Sequence, residues 1–262
     1  MKIIACIKQV PDSEAKVKAE GGQITWGDAP LVINPFDEYA VEGALQQKEA
    51  AGSASSSLST VTALCIGPES ARDALKHALA MGADDAILVS DPALNNIDTV
   101  GAARILAAAI NKIGGVDMVV FGRQTLDNGS GLTPAQTARV LGWPMLGLAG
   151  QIKVGDGSAQ VERVIEEGRQ IVKAKLPAVI SVVQSIGEPR YPSFMGIRKA
   201  SKAEIPVWSL SDLGVSAPAP LVTRIELMNP PSRESSVEII TGESPAEIAE
   251  KLAEKILAEK VL

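Results

Sequence analysis

Short apolar runs alternate with longer segments of helical periodicity through the first 146 residues, and few folds accommodate that order. Residues 2–8, 60–66, 86–90 and 116–121 are runs of strand length. Between them, 38–51, 69–81 and 99–112 carry helical spacing, as in Ala40, Val41, Ala44 and Leu45. Gly82 and the Gly114-Gly115 pair stand where two of these helices should stop. Repeated β–α units of this length predict a parallel, doubly wound sheet with right-handed crossovers. Composition agrees: 46% of residues are hydrophobic but only 3% aromatic, as expected when helices cover both faces of the strands.

In such sheets ligands bind beyond the carboxyl ends of the strands. Residues 117–142 show how this chain would do so. The apolar run Met118 to Phe121 breaks at Gly122 into a loop rich in glycine and hydroxyl side chains, and a helical pattern resumes near Thr133. A strand that feeds a helix through such a loop aims backbone N–H groups and the positive end of the helix dipole at one spot, which suits an anion. The loop is neither GxGxxG nor GxxxxGK[ST], and an ordinary strand-to-helix connection would look similar. The same rim should gather 6–8, 66–67 and 122–124, together with Asn34, Pro35, Phe36 and Asp37. Asp37 reads as a helix N-cap; Asn34 reads equally well as a partner for a purine edge or ribose.

After residue 146 the texture changes. Segments 151–154, 160–165 and 170–175 alternate like antiparallel strands, with a hairpin turn at 155–157. The apolar run 178–183 could rejoin the sheet. Residues 187–199 form a proline-punctuated stretch holding Tyr191, Phe194, Met195 and Ile197, expected to be a docking loop because exposed apolar side chains are costly unless covered. Residues 214–242 read as an extended arm, strand-like only at 221–227. Ser244, Pro245 and Glu247 announce a final helix over 246–259. The expected organisation is a nucleotide-binding domain over 1–214 and an arm with a helix over 215–262.

A net charge of −6 argues against nucleic acid as a partner. One histidine, His77, nearly excludes histidine metal sites and Ser-His-Asp triads, so no metal is expected. No apolar stretch approaches the roughly 20 residues that span a bilayer. The first apolar run is too short for a signal-peptide core, and Cys6 and Cys65 each lie inside strand-like runs. Both thiols are expected reduced, buried and structural, and the address cytoplasmic.

Several stretches together resemble the β subunit of electron-transfer flavoprotein: IACIKQVPD (4–12), INPFDEYAVEGAL (33–45), HALAMGADDAILV (77–89), FGRQTLD (121–127) and GWP (142–144). The most specific is VERVIEEGRQIVKAKLPAVIS (161–181), with Arg163, Glu166, Glu167, Gln170, Pro177 and Ser181 at the family's spacings. GEPRYPSFMGIRKASKAEIPV (187–207) is similar to the family's segment for contacting partner dehydrogenases. The similarity runs from residue 1 to about 214.

The resemblance implies an α/β, Rossmann-like, adenine-nucleotide-binding chain with a hairpin addition and a C-terminal arm that packs on an α subunit. The α subunit would hold or share the redox FAD. In this chain the resemblance implies AMP or the AMP half of a second FAD, the latter in an electron-bifurcating branch that takes electrons from NADH. By family pattern the contacts fall on Cys6, Asn34, Pro35, Phe36, Asp37 and Ile66, and along the loop Gly122, Arg123, Gln124, Thr125, Leu126, Asp127, Asn128, Gly129, Ser130, Gly131, Leu132 and Thr133. Phe194 takes the place of the apolar anchor for flavin-containing dehydrogenases; the final acceptor would be a quinone oxidoreductase or similar protein. The sequence departs from the pattern at Gly129 and Leu132, where the family usually has an acid and a glutamine.

These residues imply an electron carrier without a catalytic nucleophile or acid/base pair of its own. Glu166-Glu167 reads as a solvated hairpin edge. Two other classes bear weighing. A regulatory nucleotide-binding module of the universal-stress type has a similar sheet but ends near 150 residues. An ATP-consuming ligase of related fold needs an SGGxDS-type loop, which KQVPDS at 8–13 lacks.

Overall fold

The computed structural model describes residues 1–54, 59–95, 97–223, 225–231 and 237–259. In chain order the strands of the first half are β1 (Lys2–Ile7), β2 (Gln9–Pro11), β3 (Lys18–Glu20), β4 (Gln23–Thr25) and β5 (Leu31–Ile33). Helix α1 (Pro35–Ala54), β6 (Thr60–Ile66), α2 (Arg72–Met81), β7 (Asp85–Val89), α3 (Thr99–Ile113), β8 (Met118–Gly122) and α4 (Thr133–Leu141) follow. The second half holds β9 (Met145–Gly155), β10 (Ser158–Ile165), β11 (Gly168–Lys175), β12 (Ala178–Val182), α5 (Phe194–Ala200), β13 (Val207–Trp208), α6 (Leu210–Leu213) and α7 (Pro245–Ala258).

Nine strands form one sheet in the order β11-β10-β9-β12-β8-β1-β6-β7-β13. Every pairing from β9–β12 across to β7–β13 is parallel, while β9, β10 and β11 run antiparallel as a meander. The doubly wound α/β architecture read from the alternation is the observed one. Parallel strands need cover on both faces, and two apolar clusters provide it. Ala40, Val41, Ala44 and Leu45 of α1 join Leu75 and Ala78 of α2 on one face. Ile105, Leu106 and Ile110 of α3 join Ala138 of α4 on the other. Cys65 belongs to the first cluster and Cys6 to the second; both are free and buried.

Where the structure departs from the sequence reading, local geometry gives the reason. Helix α1 begins at Pro35, a position proline favours, so Asp37 lies in its first turn and is not the N-cap. The segment 187–199 is not all loop: Ser193 accepts from the Gly196 N–H and starts α5, whose Gly196 lies so close to α2 that a Cβ there would sit 2.3 Å from the Ala80 carbonyl oxygen. No strand forms at 221–223 or 225–227, and Arg224 lies outside the described residues. Instead the Leu221 and Val222 N–H groups donate to Asp98. Residues of the 161–181 signature brace the irregular stretch of β9, where its pairings with β10 and β12 shift register. Arg163 donates to the Gly147 carbonyl and the Ser181 hydroxyl accepts from Leu148, which is held at a φ of 59°.

The chain divides into two units, Met1–Glu226 and Leu227–Leu262. The second holds α7, where the Ser244 hydroxyl accepts from Glu247 N–H and the Glu247 carboxylate accepts from Glu243 N–H. Among the described residues no helix is long and apolar enough to cross a membrane.

Candidate functional site

At the carboxyl ends of β1, β6, β7 and β8 the sheet opens into a cleft of about 730 Å³. That lies within the roughly 300–1,000 Å³ typical of small-ligand sites. Cys6, Ile66 and Phe121 form part of its apolar floor, with Leu94 and Leu106 from the α3 side. Its polar wall is the β8–α4 loop, contributing Gly122, Gln124, Thr125, Asp127, Asn128, Ser130, Gly131 and Thr133.

The loop is held from beneath by the turn that starts α1. Asn34 is completely buried; its amide donates to the Gln124 carbonyl at 2.9 Å and accepts from the Leu126 N–H at 3.1 Å. Asn34 therefore shapes the loop from below. Asp37 accepts from the Lys8 N–H at 2.8 Å and from the Gly122 N–H, tying β1 and β8 to α1. Burial pushes the Asp37 carboxyl up to about 7, against the pull of the Asn34 amide and the two N–H groups. Gly122 is obligatory at this junction, because a Cβ there would lie 2.4 Å from the Phe36 carbonyl oxygen.

Above this base the loop is braced internally. The Thr125 hydroxyl donates to the Asn128 side chain, which also accepts from the Ser130 N–H, and Gly129 N–H donates to the Thr125 carbonyl. Asp127 pairs with the Lys8 ammonium from the end of β1. Burial raises the Asp127 carboxyl, but the Lys8 contact outweighs it and holds the group below the ordinary carboxylate range. Burial drives the Cys6 thiol well above its ordinary value, so it stays neutral in the floor.

Two helix N-termini reach the cleft, and they differ. Asp98 caps α3 by accepting from the Gly101 N–H at 2.7 Å. Helix α4 starts after Leu132 with no side-chain cap. Pro134 carries no N–H and the Gln136 N–H donates to the Leu132 carbonyl, which leaves the Thr133 and Ala135 N–H groups for an outside anion.

Seven of the residues singled out from the sequence do not line the cleft. Asn34 is beneath the loop, Pro35 opens α1, and Gly129 turns the loop with a φ of 61°. Leu126 and Leu132 are exposed. Phe36 and Arg123 line a separate concavity of about 170 Å³ with Tyr39 and Gln184. Conversely, Ser90, Asp91, Asp98 and Thr99 line the cleft without having been singled out. The strand-end rule that picked out β1, β6 and β8 applies to β7 as well. Trp26 and Leu31 also reach it, from a stretch whose three-residue strands show no periodicity. Elsewhere Tyr191, Phe194, Met195 and Ile197 are 87%, 81%, 69% and 53% exposed, so the 187–199 segment does present an apolar surface.

A family model described as the electron transfer flavoprotein domain matches residues 24–213. The electron transfer flavoprotein β subunit of Mycobacterium tuberculosis is 35% identical over 99% of both chains, and that of Megasphaera elsdenii 32% over the whole of both. The chain belongs to the electron transfer flavoprotein β-subunit family. The CarD subunit of the caffeyl-CoA reductase-Etf complex of Acetobacterium woodii is 33% identical over the full length of both chains. The family's role is electron transfer, and the match continues well beyond the 150 residues of a universal-stress module, which is not favoured.

Proposed function

We propose that this chain is the β subunit of a heterodimeric electron carrier that takes electrons from flavin-containing dehydrogenases, or from NADH, and delivers them to a quinone oxidoreductase or similar acceptor. An α subunit holds or shares the redox FAD, and the cleft of this chain takes AMP or the AMP half of a second FAD. The observation that carries the reading is the cleft at the strand ends, closed by a loop that leads into the uncapped N-terminus of α4.

The residues present fit such a group. The floor of Cys6, Ile66 and Phe121 suits an apolar base, and the N–H groups of Thr133 and Ala135 at the start of α4 suit a phosphate. Gly129 and Leu132, where the family usually has polar side chains, leave this backbone cradle in place. A bound flavin supplies the electron-carrying chemistry; this chain binds, orients and shields. Tyr191, Phe194, Met195 and Ile197 form the docking surface for the dehydrogenase, and the Leu227–Leu262 unit packs on the α subunit. Two free, buried thiols are in keeping with a cytoplasmic complex.

Co-expression with an α subunit tests the reading. A yellow heterodimer is expected, and extraction separates its forms: one FAD plus one AMP, or two FADs. A colourless monomer that binds and hydrolyses ATP overturns it.

A further inference from the structure

The charges around the cleft are unevenly matched. Five carboxylates line it, at Asp37, Glu69, Asp91, Asp98 and Asp127, and among the described lining residues Lys8 is the sole cation. Four of the acids are engaged elsewhere. Asp37 accepts from backbone beneath the loop, Glu69 pairs with Arg72, Asp91 accepts from the Ala93 and Leu210 N–H groups, and Asp98 caps α3. Only Asp127 meets Lys8.

The position of Lys8 is fixed by its backbone. Its N–H donates to Asp37 and its carbonyl accepts from the Asn34 N–H at 2.8 Å, so the stem leaves the end of β1 beside the β8–α4 loop. The side chain is 39% exposed, and its ammonium carries three donors, of which Asp127 takes one. Asp127, on the loop that leads to the open N-terminus of α4, and Lys8, at the end of β1, both lie on the cleft wall. A lysine so placed serves as a point charge for phosphate.

We infer that Lys8 is a phosphate-binding residue of this cleft, held at the anion end by Asp127 and supplying the one side-chain charge that distinguishes a nucleotide from its nucleoside. This rests on the adenine-nucleotide reading of the cleft. The alternative role, pinning the loop through Asp127, would leave the phosphate to backbone alone.

Binding of AMP and of adenosine to the nucleotide-depleted complex, measured by calorimetry, separates the two. Lys8→Met is expected to weaken AMP by about tenfold or more and to leave adenosine within about twofold. Lys8→Arg keeps the cation and is expected to retain most AMP affinity, which excludes general damage. Equal loss of AMP and adenosine in Lys8→Met, or unchanged AMP affinity, overturns the inference. Wild-type complex that binds neither compound would instead overturn the nucleotide reading on which it rests.

Discussion

Asn34 and Gln124 stand 90 residues apart in the chain and are joined by a buried 2.9 Å hydrogen bond, amide to carbonyl. Together with the bond Asn34 accepts from Leu126, it makes the start of α1 the mould for the β8–α4 loop. Asn34→Ala orphans an acceptor and a donor, each costing about 1–3 kcal/mol when buried, so a loss of about 2–6 kcal/mol is expected. Urea unfolding measures it, and gel filtration should show nucleotide lost from the folded variant. Unchanged stability would mean that the loop holds its shape without Asn34.

Gly122→Ala tests the same junction by crowding it. The added methyl would fall 2.4 Å from the Phe36 carbonyl and 2.6 Å from the Asp37 carboxylate, both fixed by other bonds. Overpacking of this kind costs about 1–3 kcal/mol or more. Gly155→Ala is the control, since nothing lies within 4 Å of its Cβ. A drop in thermal midpoint is expected for the first variant and little change for the second; equal behaviour would sink the close-packing argument.

Asp37 makes stability depend on pH with a sign opposite to most carboxylates. Its ordinary value is 3.8 and burial raises it to about 7 in the folded chain. Between these values the folded state keeps a proton that the unfolded state has lost. Stability therefore falls as pH rises through this window and levels off above it. The full effect is on the order of 4 kcal/mol. Cys6 and Cys65, its buried neighbours, stay protonated throughout, the latter pushed up to about 12. Asp37→Asn removes the titration. The wild-type minus variant difference in unfolding free energy should therefore change between pH 5 and 8; a flat difference would contradict the assignment.

The parallel centre of the sheet, β1, β6, β7, β8 and β12, was legible because these strands are five residues or longer and mostly buried, so apolar runs such as Met118 to Phe121 announce themselves. The three-residue strands β2 to β5 carry too little period, and Trp26 reached the cleft unannounced. Helix α5 was hidden among prolines although its Ser193 cap stood in the sequence. The loop was legible as a strand-to-helix turn from its glycines. The inward role of Asn34 was not, because an amide that bonds backbone 90 residues away leaves no local pattern. The Lys8–Asp127 pair depends on strand order in the same way.

The exposed surface on α5 gives the last prediction, which separates docking from folding. Phe194 is 81% exposed, so Phe194→Ala should change stability by no more than about 0.5 kcal/mol. If it anchors a dehydrogenase, the rate at which that partner reduces the complex should fall while flavin content stays constant. Gly196→Ala acts differently: its methyl would strike the Ala80 carbonyl, lift α5 from α2 and disturb the whole surface. That variant should slow reduction and also raise proteolytic sensitivity at 187–199. Loss of flavin in Phe194→Ala would make the segment a structural element of the cofactor site and remove the docking role.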